Sequence, residues 1–121
     1  MSYTILIAED NETNFSLIKT YLKKSLIDYT IIWKTNGLEA IKECENNKID
    51  LILMDVRMPL LNGYDATREI KKINPQLPII IQTAYADSNS RLEAISCGCN
   101  EILYKPYSSK QLLSKIKKYL K

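Results

Sequence analysis

Residues 51–59, LILMDVRMP, run four apolar side chains directly into the carboxylate of Asp55. A short, continuous apolar run is typical of a strand that is buried on both faces of a parallel sheet. An aspartate after such a run is usually a turn former or the start of a helix. The role of Asp55 therefore depends on what the other strands carry at the same end.

Apolar and β-branched runs elsewhere predict four more strands, and amphipathic segments between them predict five helices. The predicted strands are 3–8, 29–33, 50–54, 78–83 and 101–104, and the predicted helices are 12–25, 37–46, 65–73, 88–97 and 109–120. Five strand–helix pairs with short connections predict a doubly wound α/β fold. Of the two realistic strand orders, the flavodoxin-like order 2-1-3-4-5 fits a five-stranded parallel sheet.

Two helices carry further signals. Asp65 favours the start of the third helix, because a negative charge is stabilised there. In the fourth helix, Leu92, Ile95 and Ser96 recur along one side, which predicts the face that packs on the sheet.

The composition predicts one soluble domain over residues 1–121. The apolar runs are too short to cross a bilayer and no signal peptide is visible, so we expect a cytoplasmic protein without membrane insertion. The net charge of +3 lies largely in the last helix, which favours a solvated helix face over nucleic-acid binding. The three cysteines predict buried thiols, and the absence of histidine excludes a mixed Cys/His metal site and a histidine general base.

Polar residues follow four of the predicted strands. Glu9 and Asp10 follow the first, Asp55 the third, Thr83 the fourth and Lys105 the fifth. In a doubly wound sheet, ligands bind beyond the carboxyl ends of the strands at the switch point, which here lies between strands one and three. We therefore expect the three carboxylates to converge there.

Three clustered carboxylates repel one another, and a divalent cation would resolve that repulsion. Oxygen ligands of this kind favour Mg²⁺. Thr83 and Lys105 add a hydroxyl and a cation that suit phosphate, so the set suits phosphoryl transfer. Asp55 is the best candidate nucleophile, because Glu9 and Asp10 are adjacent and better placed to hold the metal. Any one of these residues alone could cap a helix, form a turn or lie on the surface.

Four segments resemble motifs of the receiver domains of two-component signalling, in that family's order and spacing. They are ILIAEDN (5–11), LILMDVRMPLLNGYD (51–65), PIIIQTAYA (78–86) and GCNEILYKPYS (98–108). The resemblance implies a phosphorylation-dependent switch in which Asp55 accepts a phosphoryl group from a partner's phosphohistidine. Such a domain catalyses only its own phosphorylation and dephosphorylation and is not a conventional enzyme.

The resemblance also implies a magnesium site made of Glu9, Asp10, Asp55 and the backbone carbonyl of Arg57. Gly63 would supply a turn conformation that is costly for other residues.

The resemblance further implies that Thr83 and Lys105 grip the phosphoryl oxygens and that the Lys105–Pro106 bond is cis. Many receivers carry an aromatic residue three positions before this lysine, where it rotates with the switch threonine. Here that position is Ile102, so movement of Thr83 with its loop has to suffice.

Arg57 and Tyr85 border the site, and we expect them to tune how readily water reaches the phosphoryl group. The chain is similar to receivers of hybrid sensor kinases, which implies a histidine kinase or a histidine phosphotransfer domain as partner. The expected partner surface is formed by helix 4, strand 5 with Tyr104, and helix 5, and it could also support a homodimer.

Three other functions compete with this one. A degenerate receiver would act as a phosphorylation-independent interaction module, but its site residues are intact. A nucleotide-binding α/β enzyme would need a glycine-rich phosphate loop, and the chain has neither G-x-G-x-x-G nor G-x-x-x-x-G-K-[ST]. A nucleic-acid binder would need a recognition motif or a basic patch beyond the last helix.

Overall fold

The computed structural model describes residues 2–120. The strands are β1 (Tyr3–Ala8), β2 (Tyr29–Lys34), β3 (Leu51–Asp55), β4 (Ile79–Thr83) and β5 (Glu101–Tyr104). The helices are α1 (Glu12–Leu22), α2 (Gly37–Asn46), α3 (Gly63–Ile73), α4 (Ser88–Ser96) and α5 (Ser109–Lys117). Residues 1 and 121 of the predicted domain lie outside the described part.

All neighbouring strands are parallel, and their order across the sheet is β2-β1-β3-β4-β5. The predicted flavodoxin-like fold is therefore confirmed. Every residue of β3 and β4 is buried, because α1 and α5 cover one face of the sheet and α2 and α3 cover the other. This two-sided burial explains why these strands are continuous apolar runs rather than alternating ones.

Each helix begins with a polar N-cap whose side chain accepts a hydrogen bond from the backbone amide three residues further on. The N-caps are Asn11, Asn36, Asn62, Asp87 and Ser108. The third helix therefore begins at Gly63, two residues before Asp65, and Asn62 accepts from the amide of Asp65. Asp65 lies in the first turn, as expected for an acidic residue, but the helix starts earlier than predicted.

The packing face of α4 differs from the prediction. Leu92 and Ile95 are 64% and 58% exposed, and Ser96 is exposed as well. Ala94 is the buried residue of this helix. Its short side chain faces the interior, which turns the larger apolar residues outwards, so the predicted face was wrong and α4 carries exposed apolar side chains.

Three helices end earlier than predicted, α1 at Leu22, α4 at Ser96 and α5 at Lys117. Cys97 is buried as expected, whereas Cys44 and Cys99 are only partly buried, and all three thiols are free. Within residues 2–120, the helices are all too short or too polar to cross a bilayer.

Candidate functional site

Three carboxylates converge at the carboxyl ends of β1 and β3, which are neighbours in the sheet. Glu9, Asp10 and Asp55 each have a carboxylate oxygen within 4.8 Å of the others. Glu9 and Asp55 are buried, whereas Asp10 is exposed to solvent. This is the convergence that the strand order predicted from the sequence.

The electrostatics of the cluster are most visible at Glu9. Burial and, second to it, the nearby charge of Asp55 together raise the pKa of Glu9 to about 7, although Lys105 acts in the opposite direction. The carboxylates therefore repel one another even with an ammonium group beside them. Oxygen donors of this kind and this excess of negative charge fit a hard divalent cation such as Mg²⁺.

Lys105 links the carboxylates. Its Nζ donates to Oδ1 of Asp55 at 2.8 Å and to Oε1 of Glu9 at 3.3 Å. Burial lowers the pKa of Lys105, but the hydrogen bond to Asp55 and the two carboxylate charges outweigh burial and leave the pKa raised. The Lys105–Pro106 peptide bond is cis, as the family resemblance implied.

Thr83 ends β4 next to this group and is buried. Its hydroxyl oxygen accepts a hydrogen bond from the backbone amide of Tyr85 at 3.0 Å, which leaves the hydroxyl hydrogen available for donation. The carbonyl of Thr83 accepts from the amide of Lys105 at 2.8 Å. These two hydrogen bonds, each to a backbone group, hold the Thr83 hydroxyl beside Lys105.

Arg57 and Tyr85 stand over the site. The guanidinium carbon of Arg57 lies 4.4 Å from the centre of the Tyr85 ring, a cation–π contact between the loops after β3 and β4. Together with Asp55, Thr83 and Lys105 they line a pocket of about 150 Å³. A liquid water occupies about 30 Å³, so this pocket has room for a small anionic group.

The loop after β3 approaches Asp55 closely at Gly63. A Cβ atom there would lie 2.0 Å from the carbonyl oxygen of Asp55. The left-handed residue of this loop is instead Leu60, with φ of 69°. Gly63 is therefore required by close approach, and the predicted reason, a special turn conformation, was wrong.

Trp33 is a residue of the site that sequence reasoning missed. Its indole Nε1 donates to the backbone carbonyl of Glu9 at 2.7 Å, and its ring stacks on Phe15 at 4.2 Å between centroids. The available signal was its place one residue before the end of β2, which neighbours β1. Trp33 holds the backbone of the acidic pair and, as the chain's only tryptophan, is a natural fluorescent reporter.

Ile102 lies on β5 and is partly buried, so no aromatic ring occupies the position where many receivers have one. Tyr104 lies two residues further along the strand and is exposed.

Comparison with known proteins gives a consistent result. The family model of the response regulator receiver domain matches residues 5–117 of this chain. Sensor protein EvgS of Escherichia coli (strain K12) is 39% identical over 103 residues, which is 85% of this chain and 8% of EvgS. Hybrid signal transduction histidine kinase G of Dictyostelium discoideum is 37% identical over 118 residues, which is 95% of this chain and 3% of that kinase. The chain thus spans only a small part of these relatives.

Among solved structures, the receiver domain of the sensor histidine kinase PA1611 from Pseudomonas aeruginosa PAO1 has a similar fold. The two structures share a TM-score of 0.90 and 33% identity, with 98% of each chain covered. That receiver domain was solved with a magnesium ion coordinated in its active-site cleft.

Proposed function

The chain belongs to the response regulator receiver family of two-component signalling, and we propose that it is a phosphorylation-dependent switch in which Asp55 accepts a phosphoryl group. The observation that carries this proposal is the meeting of three carboxylates, Lys105 and Thr83 at one edge of the sheet. The donor would be a phosphohistidine on a partner, as the family resemblance implies, and none of these 121 residues is a histidine that could serve instead.

The transfer step is a displacement at phosphorus. An oxygen of Asp55 forms the new bond to phosphorus while the bond from phosphorus to the partner's histidine nitrogen breaks, and that nitrogen keeps the electron pair. Lys105, which donates to Asp55 at 2.8 Å, is placed to follow the negative charge onto the phosphoryl oxygens. The free hydroxyl hydrogen of Thr83 gives a second donor for those oxygens.

Mg²⁺ fits the acidic cluster, and the side chains of Glu9, Asp10 and Asp55 would hold it together with the backbone carbonyl of Arg57. When bound, the ion would neutralise phosphoryl charge during transfer. The buried position of Glu9 and Asp55 keeps the ligands oriented, while exposed Asp10 leaves the site open to water on one side.

Switching would begin at Thr83. A bond from its hydroxyl to the phosphoryl group would draw the loop after β4 towards Asp55, and Tyr85 in that loop would move with it. With Ile102 in place of an aromatic residue, the movement would pass mainly through this loop to α4. The exposed Leu92 and Ile95 on α4 support a partner surface made of α4, β5 and α5, for a homodimer or for another protein.

The resemblance to sensor kinases supports a histidine kinase or a histidine phosphotransfer domain as phosphodonor. Arg57 and Tyr85 would govern the lifetime of the phosphoryl group, because their contact covers the pocket through which water must reach it.

The proposal is tested by incubating the protein with Mg²⁺ and acetyl phosphate and measuring the intact mass. Wild type should gain a single phosphate, Asp55→Asn should gain none, and a chelator should abolish the reaction. Asp28→Asn is the matched control, since Asp28 is exposed and precedes β2 at the opposite edge of the sheet. A wild-type protein that gains no phosphate would favour the phosphorylation-independent interaction module. An Asp55→Asn variant that still gains one would refute Asp55 as the phosphoacceptor.

A further inference from the structure

Gln82 is a polar residue in an otherwise apolar face of the sheet. It lies on β4 directly before Thr83, and its register neighbours are Asp55 on β3 and Leu103 on β5. The face it shares with Leu103 and Ile80 packs against α1 and α5. Gln82 is 1% exposed, and among the described residues its Nε2 has no hydrogen-bond partner, so its Oε1 carries the polar contact of this amide.

The partner of Gln82 is Tyr107, which follows Lys105 by two residues. The hydroxyl of Tyr107 donates to Oε1 of Gln82 at 2.5 Å. Tyr21 on α1 donates in turn to the backbone carbonyl of Tyr107 at 3.2 Å. Burial raises the pKa of Tyr107, and the nearby charge of Glu9 raises it further, so this hydroxyl remains protonated and able to donate.

These contacts fasten the segment that carries Lys105 to β4 at two points. One is the backbone bond from the amide of Lys105 to the carbonyl of Thr83, at 2.8 Å. The other is the side-chain bond from Tyr107 to Gln82. Between the two points lie Lys105 itself and the cis bond to Pro106. Small displacements of an aligned group can slow a reaction strongly, so the second attachment bears on where the ammonium sits.

We propose that Gln82 and Tyr107 are positioning residues that hold Lys105 against Asp55 and Glu9 for phosphoryl transfer. The inference rests on the proposed function of Asp55 and extends it to two residues on the opposite face of β4 from Thr83. Neither residue touches the reacting atoms. They act through the segment 105–107, which Tyr107 attaches to Gln82 on β4.

If Gln82 and Tyr107 had a purely structural role, stability and phosphorylation rate would change together in their variants. Tyr107→Phe keeps the ring and removes the hydroxyl, which leaves the buried amide of Gln82 without this partner and should lower stability. The double variant Gln82→Leu/Tyr107→Phe removes both polar groups, so most of the lost stability should return. If the pair serves only packing, the double variant should recover the wild-type phosphorylation rate together with its stability.

The experiment compares wild type, Tyr107→Phe and the double variant at saturating Mg²⁺ with acetyl phosphate. Tyr119→Phe is the matched control, because its hydroxyl donates to Glu101 at 2.7 Å, away from the site. We expect both Tyr107 variants to be phosphorylated about tenfold more slowly, on the order of what a modest misplacement costs. Urea unfolding should show that the double variant is close to wild type in stability. A double variant phosphorylated at the wild-type rate would overturn the proposal.

A second readout does not depend on phosphorylation. Competitive acylation of the metal-free proteins, read by peptide mass spectrometry, measures how accessible each lysine is. The side chain of Lys105 is 24% exposed and bonded to two carboxylates. It should react several-fold faster in the double variant, while exposed Lys48 should not change. An unchanged Lys105 would refute the positioning role even if wild type proved inactive, whereas inactivity of wild type alone would refute only the proposed function.

Discussion

The clustered carboxylates predict that neutralising Asp10 changes the stability of the fold in opposite directions with and without a bound metal ion. Asp10 contributes an oxygen within 4.8 Å of oxygens of both Glu9 and Asp55, yet it is exposed to solvent. Asp10→Asn keeps the shape of the side chain and removes one charge. In the absence of metal this should relieve repulsion and stabilise the fold, although a substitution usually destabilises a protein.

The size of the effect follows from the distances. Two unit charges about 4 Å apart interact with about 1 kcal/mol in water and about 4 kcal/mol near a protein surface. Lys105, which bonds to both of the other carboxylates, offsets part of the repulsion. An exposed group such as Asp10 stands near the aqueous limit, so we expect a gain of about 1 kcal/mol. With a urea m-value of about 2 kcal/mol/M, the midpoint should rise by roughly 0.5 M.

Magnesium should reverse the order of stability of wild type and Asp10→Asn. A ligand at 100 times its dissociation constant stabilises the folded state by about 2.7 kcal/mol. Wild type should obtain that gain at a lower Mg²⁺ concentration than Asp10→Asn, which lacks one ligand charge. At an intermediate concentration, wild type should therefore be the more stable protein.

The assay is urea unfolding in a chelator and in a series of Mg²⁺ concentrations, followed by the fluorescence of Trp33, which is bonded to the backbone of Glu9. Glu45→Gln is the control, because Glu45 is an exposed carboxylate on α2. An Asp10→Asn variant that is less stable than wild type in chelator would refute the repulsion argument. Equal stabilisation of both proteins by Mg²⁺ would refute the role of Asp10 in holding the ion.

Three more predictions concern single residues. The pKa of Glu9 is raised from 4.5 to about 7, so the folded state holds this proton more tightly than the unfolded state does. Metal-free wild type should therefore lose stability as the pH rises from 4.5 to about 7. Urea titrations over this pH range should show no such loss for Glu9→Gln. Gly63→Ala should destabilise the fold by several kcal/mol, since its Cβ would lie 2.0 Å from the carbonyl oxygen of Asp55. Gly98→Ala should cost only about 1 kcal/mol, because Gly98 has a φ of 92° but the nearest atom to its Cβ would be 3.8 Å away. Equal unfolding midpoints for the two variants would contradict this. Tyr85→Ala should speed loss of the phosphoryl group several-fold by uncovering the pocket, measured after removal of the phosphodonor, and an unchanged decay rate would count against the shielding role.

Features that depend on one segment of chain were predictable from the sequence. The run LILM is continuous because both faces of β3 are buried, and this periodicity is visible without a structure. The strand order then brought Glu9, Asp10 and Asp55 to one edge, because parallel strands share their carboxyl ends.

Features that depend on distant neighbours were not predictable in this way. The face of α4 was misassigned because periodicity marks apolar residues but not which of them find a partner, and here Ala94 rather than Leu92 packs inwards. Gly63 was recognised, but its reason is a carbonyl eight residues away, which only the folded loop brings close.

The sequence by itself determined the architecture and the chemical groups of the site, since alternating apolar and amphipathic segments dictate the elements and their ends carry the polar residues. Only the tertiary structure decided how those groups are held. The indole of Trp33 supports the backbone of Glu9, and Tyr107 fastens the lysine segment to Gln82, 25 residues away along the chain. Such contacts are set by the packing of side chains from separate elements, and local sequence patterns carry no record of those distances.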